Sequence, residues 1–176
     1  KSIFYTLFLT FFAINSTALF AEDLSTEDQR LNSFFDQVFK EHLARHPMHQ
    51  SNIGIKDDYD KWDDISDKFA AKNLKIAQQN LARMKADYNY EKLNAQSQLS
   101  YRLFEKMVND SVEGSRWRHH WYPVNQMFGF HSEVPAFLIN IHRVDNKSDA
   151  EAYVKRLKGI KPLLKQLEKN LVIREK

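Results

Sequence analysis

SDKFAAKNLKIAQQNLARMKADY, residues 66–88, decides the fold. Ala70, Leu74, Ala77, Leu81, Met84 and Tyr88 recur four and three residues apart. That spacing keeps a narrow apolar seam on one face of a helix, where a neighbouring helix can cover it. Ser66 stands just before the run and has the hydroxyl that an N-cap needs. No alternation of period two, the mark of a half-buried strand, competes with this pattern.

The same period extends to both sides. Upstream, Ser25 reads as an N-cap, with Glu27 and Asp28 in the first turn. Leu31, Phe34, Phe35, Val38, Phe39 and Leu43 follow on one face, and Pro47 ends this helix near Arg45 and His46. Residues 50–65 form an Asp-rich loop turning at Gly54. Downstream, Asn94 caps a helix reaching about Arg118, with Leu99, Leu103, Phe104, Met107 and Val108 inward. Ser132 and Glu133 mark the start of a short apolar helix over 134–141, with Pro135 in its first turn. Ser148-Asp149-Ala150-Glu151 is a capping box that opens a helix ending at Gly159. A last helix begins near Lys161 and Pro162. The expected fold is all-α: an antiparallel helical array with short connections.

Composition agrees with a packed chain. Of 176 residues, 43% are hydrophobic and 28% charged, with four Gly and four Pro, which is globular rather than disordered. The net charge is only +3, with both signs interleaved. Arg116, Arg118, His119 and His120, with Trp117 and Trp121 among them, make the one dense basic cluster. Cations at a helix C-terminus account for it, and no nucleic-acid partner is expected. The absence of Cys excludes disulfides, thiolate metal ligands and a Cys nucleophile.

The first residues read as a leader. Lys1 precedes an apolar run over 3–12, then small residues, then Ala18-Leu19-Phe20-Ala21 and the acidic Glu22-Asp23. A charged start, a short apolar centre and a small-residue site make a secretory signal, too short to span a bilayer comfortably. Residues 1–21 are expected to be a signal peptide cleaved after Ala21, with Ala18 the next choice. A periplasmic or secreted location follows, with membrane contact only during export. The last helical run reaches Lys176 without Gly, Pro or a cap, so residues 22–176 are expected to be the N-terminal region of a longer protein.

Several clusters invite a chemical reading. His42 and His46 share a helix face, as zinc ligands at i and i+4 do, but Pro47 intervenes before His49 and no carboxylate completes a set. Packed, hydrogen-bonded histidines are the simpler expectation. His119 and His120 are adjacent, so on a helix they diverge and cannot chelate together. His131 and Glu133 could act as acid and base, yet a loop-to-helix junction held by polar contacts explains them as well. Asp57, Asp58, Asp60, Asp63 and Asp64 lack the alternating ligands and terminal Glu of a calcium loop and read as solvated, helix-capping acids. No His-Glu dipeptide, GxSxG or Walker loop occurs, so no catalytic and no metal-binding residue is assigned.

The segment WYPVNQMFGFHSEVPAFLINIH, residues 121–142, is the unusual one. It is apolar and aromatic, with Tyr122, Asn125, Gln126 and His131 set among apolar neighbours. It reads as an ordered, buried loop feeding a helix. Buried polar groups must find partners, so such a segment organises a core junction or lines a cleft.

Its residues carry a family resemblance. Tyr122-Pro123-Val124-Asn125-Gln126-Met127 and His131-Ser132-Glu133-Val134-Pro135-Ala136-Phe137-Leu138-Ile139-Asn140 closely resemble the bacterial domain-of-unknown-function 885 family. Phe34-Phe35-Asp36 through Pro47, Tyr59-Asp60-Lys61-Trp62 and Ser148-Asp149-Ala150-Glu151-Ala152-Tyr153 agree with it. The resemblance runs from about Leu31 to Lys176. It implies a larger, mostly helical, zincin-like protein, often exported, that hydrolyses peptides with a Zn²⁺-activated water and a Glu general base. It also places the zinc ligands in a later half of the family domain, outside this sequence. Phe128-Gly129-Phe130 departs from the family, where small residues are commoner, and narrows any cleft there.

The expected function is the N-terminal helical segment of an exported zinc-dependent peptidase-like protein, inactive alone. Zinc and a peptide substrate belong to the full-length protein. Tyr122, Asn125, Gln126 and His131 are the candidate cleft or substrate contacts. The rival expectation is a non-enzymatic periplasmic helical module for binding or scaffolding.

Overall fold

A computed structural model describes residues 26–175. It is all-α, with helices α1 (Thr26–Leu43), α2 (Pro47–Asn52), α3 (Asp67–Asp87), α4 (Ala95–Gly114), α5 (Phe130–Asn140) and α6 (Lys147–Arg174). Among the described residues the only β feature is one isolated antiparallel bridge, Val124 to Gly129. The expected signal peptide and the Ser25 cap lie outside the described residues.

The α3 seam packs as its spacing predicts, but only along part of its length. Leu81 and Met84 are buried with Leu31 and Phe34 of α1 and Tyr101 and Val108 of α4. Phe34 meets Tyr88 at 5.5 Å and Phe104 at 6.0 Å, ring centroid to centroid. Asp28, buried near the start of α1, accepts from the Asn94 amide at 3.0 Å. Glu27 beside it accepts from the Asn89 amide at 2.8 Å. Two acids of one helix start therefore tie down the α3–α4 connection. Toward the other end the seam opens: Leu74 and Ala77 are half-buried and Ala70 is exposed.

On α4 the inward face differs from the sequence expectation. Ser97, Tyr101, Phe104 and Val108 face the core, while Leu99, Leu103 and Met107 are exposed. The helix carries two apolar stripes, and the one bearing the aromatic rings meets Phe34 and Phe35.

The second half of the chain packs around α6. This is one helix of 28 residues, not two. Its buried positions Asp149, Ala152, Arg156, Leu163, Leu167 and Asn170 keep step straight through Gly159 and Pro162. Gly159 is a packing position rather than a helix end. A Cβ there would lie 2.8 Å from Cδ1 of Trp62, so the missing side chain makes room for an indole. Pro162 sits on the exposed face, where the lost N–H disturbs nothing buried.

Two caps move by a turn or less. Asn146, not Ser148, caps α6 by accepting from the Asp149 amide at 3.0 Å. The short helix α5 starts at Phe130, after Gly129, and Ser132 donates back to the Gly129 carbonyl at 3.0 Å. Ser66 and Asn94 cap α3 and α4 as expected, accepting from Phe69 and Ser97 amides.

Pro47 both ends one helix and begins another. Its fixed φ and missing N–H suit the first position of α2, a helix whose last three residues, Gln50 to Asn52, fall in the stretch expected to be loop. The Asp-rich loop behaves as capping acids. Asp63 accepts from the Met48 amide at 2.7 Å, capping α2 from outside it, and Asp64 accepts from the Ser66 amide at 2.9 Å.

Candidate functional site

Three places hold polar chemistry against apolar walls. The first is a fully buried cation. Arg156 on α6 reaches between the 50–65 loop and α5. Its Nε donates to the Lys61 carbonyl at 3.1 Å and its Nη2 to Ser51 Oγ at 2.8 Å. Nη1 lies 3.1 Å from Nδ1 of His142. The rings of Phe137, Tyr59 and Trp62 surround the guanidinium at 4.7, 5.1 and 5.6 Å. Cation–π attraction and directed hydrogen bonds replace the carboxylate such a buried charge usually finds. Burial pulls its pKa down to about 10, so it stays charged at neutral pH.

Around it the contacts continue. Tyr59 stacks on His142 at 4.1 Å and exchanges two hydrogen bonds with the Arg143 backbone. Lys56 reaches buried Asp149 at 2.6 Å. That contact holds the Asp149 carboxyl below its ordinary range. Every group has a partner here, so this is a structural junction rather than an open site.

The second place is the segment 115–131. The composition of residues 121–131 predicts a buried loop; the structure instead holds Trp121, Tyr122, Met127 and Phe128 exposed on a fixed backbone. Asn125 Oδ1 accepts from the Met127 and Phe128 amides at 2.8 and 3.1 Å, closing an Asx turn. The Asn125 amide donates to the Phe128 carbonyl at 3.0 Å. Gly129, at φ +141°, completes the turn; a Cβ would lie 2.6 Å from the Pro123 carbonyl oxygen. Arg174, the last residue of α6, clamps the segment by donating to the Trp121 and Arg118 carbonyls at 2.8 and 3.2 Å.

This backbone holds apolar side chains out in solvent. Met127 is 77% exposed, Trp121 65% and Trp117 62%, with Tyr122 and Phe128 also exposed. Fixed backbone turns with solvated aromatic tips are the reverse of a buried core junction. The polar candidates separate accordingly. Asn125 shapes the turn, and Tyr122 donates to the Arg174 carbonyl at 3.3 Å. Gln126 and His131 are exposed on the same segment. Tyr122, Asn125 and Gln126 share one short loop and His131 lies in the first turn of α5, so the four do not converge on a common polar pocket.

The third place is where the α3 seam opens. A groove of about 850 Å³ lies between α1, α3 and α4, walled by Phe35, Val38, Ala77, Phe104 and Val108. His42, His46 and His49 stand at one end. They are hydrogen-bonded, as the simpler reading expected. His42 Nε2 and His49 Nδ1 are 3.2 Å apart, and His42 stacks on His46 at 4.0 Å. His46 Nδ1 donates to the His42 carbonyl at 2.7 Å, since a carbonyl only accepts. Burial, then the neighbouring imidazoles, push the His42 pKa down to about 4. Among the described residues no three His, Asp or Glu side chains group to hold a metal ion. A zinc site does not fit the residues described.

The family model for "Bacterial protein of unknown function (DUF885)" matches residues 47–176. The chain belongs to the DUF885 family. The matched residues take in α2 to α6, the exposed segment and the Arg156 junction, while α1 precedes them. No match is found among curated proteins or among solved structures. Within the DUF885 region, sequence reasoning missed Arg156 altogether. Its signal was its place: an arginine at an inward position of the α6 stripe, between Ala152 and Leu163.

Proposed function

We propose that this chain is the N-terminal helical body of an exported, zinc-peptidase-like protein, and that segment 117–131 forms one wall of its substrate cleft. The observation that carries this is the exposed aromatic array of Trp121, Tyr122, Met127 and Phe128 on a backbone locked by Asn125, Gly129 and Arg174. Apolar side chains held rigidly in solvent form a surface suited to a partner. Ordered backbone lowers the cost of binding one. A peptide in extended form offers alternating side chains to such a wall. The resemblance carried by residues 122–127 and 131–140, which implies a zincin-like peptidase, supports the same reading.

Zinc, when bound in the full-length protein, would supply the activated water. None of residues 26–175 is assigned as its ligand. This chain's residues would position the peptide: Asn125 by shaping the turn, Tyr122 by apolar contact, Gln126 and His131 by hydrogen bonds. The expected leader, residues 1–21, directs export.

The test is peptide hydrolysis by the full-length protein with Tyr122→Ala, Asn125→Ala and His131→Ala. Raised KM in folded variants supports the wall. Wild-type kinetics in all three would sink it. If the full-length protein binds no zinc and cleaves no peptide, the rival stands: a periplasmic binding or scaffold module, using the same exposed array.

A further inference from the structure

The groove between α1, α3 and α4 has an apolar end and a basic end. Helix order sets this direction. The start of α1 meets the end of α3 at Phe34 and Tyr88. The end of α1 meets the start of α3 where Arg45 Nε donates to Asn73 Oδ1 at 3.0 Å. The end of α4 also reaches the start of α3, with Arg118 Nε 3.1 Å from Asp67. Phe35, Val38, Phe104 and Val108 therefore line the apolar end, and Arg45, His46, His49 and Arg118 the basic end.

No Asp or Glu lines the groove. Asp63 and Asp67 stand outside the lining, Asp63 on the Met48 amide and Asp67 on Arg118 and His119. Arg118 is thus already neutralised. Arg45 makes no ion pair with any described residue; its Nε is held by Asn73 and its two Nη groups complete a fork suited to a carboxylate. The His42–His49 pair uses one N–H between its two rings, which leaves one further N–H donor at the same end. A volume of about 850 Å³ is that of a small-molecule site rather than a packing defect.

We infer that this groove binds a long-chain monocarboxylate, its single apolar chain between Phe35 and Phe104 and its carboxylate at Arg45. One apolar channel ending at one uncompensated cation matches one chain with one negative head. Diacids and zwitterions would leave a charge among Phe35, Val38 and Phe104, where nothing pairs it.

The experiment is calorimetric titration of the full-length protein with dodecanoate, below its micelle concentration, and with the neutral dodecan-1-ol. Saturable binding of dodecanoate at one site is expected. Arg45→Gln should weaken dodecanoate about tenfold or more, yet leave dodecan-1-ol nearly unchanged. Met107→Glu, at an exposed position on the groove lip, should abolish dodecanoate binding with melting temperature retained. Absence of saturable binding overturns the inference. So does equal loss of both ligands in Arg45→Gln, or full dodecanoate affinity in Met107→Glu. Binding is read without peptide hydrolysis, so this result stands apart from the peptidase reading.

Discussion

Nη1 of Arg156 lies 3.1 Å from Nδ1 of His142, and that contact fixes which ring nitrogen of His142 carries a proton. A guanidinium only donates, so Nδ1 accepts. On the far side of the ring Nε2 lies 3.0 Å from the Asp149 carbonyl, which only accepts, so Nε2 carries the hydrogen. His142 is therefore neutral, and it links the buried charge of α6 to the start of the same helix. Arg156→Ala leaves Nδ1, Ser51 and the Lys61 carbonyl without their donor and opens a cavity among three rings. It should cost about 3–5 kcal/mol in urea unfolding. Arg156→Lys keeps the charge but not the fork and should cost about 2 kcal/mol or more. A loss under about 1 kcal/mol in both would remove the junction from the account.

Acid should weaken the fold through the histidines. Burial, then the Arg156 charge, lower the His142 pKa, and burial lowers that of His42 to about 4. Both groups bind protons more readily when unfolded, near 6.5. The contribution of His42 is complete above that value and is lost as pH falls from 6.5 toward 4, and that of His142 is lost in the same direction below 6.5. Asp63, whose pKa burial raises, works in the opposite sense and loses stability as pH rises past the carboxylate range. Urea midpoints measured from pH 7 to 4 should fall, and His42→Gln should flatten the slope. Midpoints that rise on acidification would contradict the neutral assignments.

Gly159 yields a prediction with an unusual sign. In a helix interior Ala is ordinarily better than Gly by about 1 kcal/mol. Here Gly159→Ala should destabilise by about 1–2 kcal/mol, because the new Cβ meets Trp62 at 2.8 Å. Trp62→Phe is costly alone, since Nε1 donates to the Arg156 carbonyl at 2.8 Å, but should absorb part of the Ala penalty in the double variant. Stabilisation by Gly159→Ala alone would mean that Trp62 does not pack there.

Those residues show what was legible in the sequence and what was not. The α3 seam, the caps Ser66 and Asn94 and the all-α class followed from local spacing, which needs no knowledge of partners. Gly159 looks like punctuation because its meaning depends on Trp62, far away in sequence, and Pro162 because only the packed helix shows that it falls on the exposed face. The choice of stripe on α4 was equally hidden, since Tyr101 and Leu103 are both apolar and only the Phe34 and Phe35 rings decide between them. Segment 121–131 read as buried because its composition is that of a core. Asn125 and Gly129 instead hold it outward, and an Asx turn leaves only a faint mark in sequence.

That turn can be checked directly. Asn125→Ala removes the acceptor of two amide hydrogen bonds and should cost about 1–2 kcal/mol of local order. Hydrogen exchange should lose protection at Met127 and Phe128, while α3 and α4 keep theirs. Gln126→Ala, at an exposed position, should change neither. Unchanged protection in Asn125→Ala would show that the turn is held by something else.

The most direct test of the proposed role is zinc content together with peptide hydrolysis in the full-length protein isolated from the exported fraction. The account predicts stoichiometric zinc, hydrolysis abolished by chelation and restored by zinc, and a raised KM in Tyr122→Ala. A zinc-free protein that cleaves no peptide, or hydrolysis indifferent to Tyr122, Asn125 and His131, would contradict it.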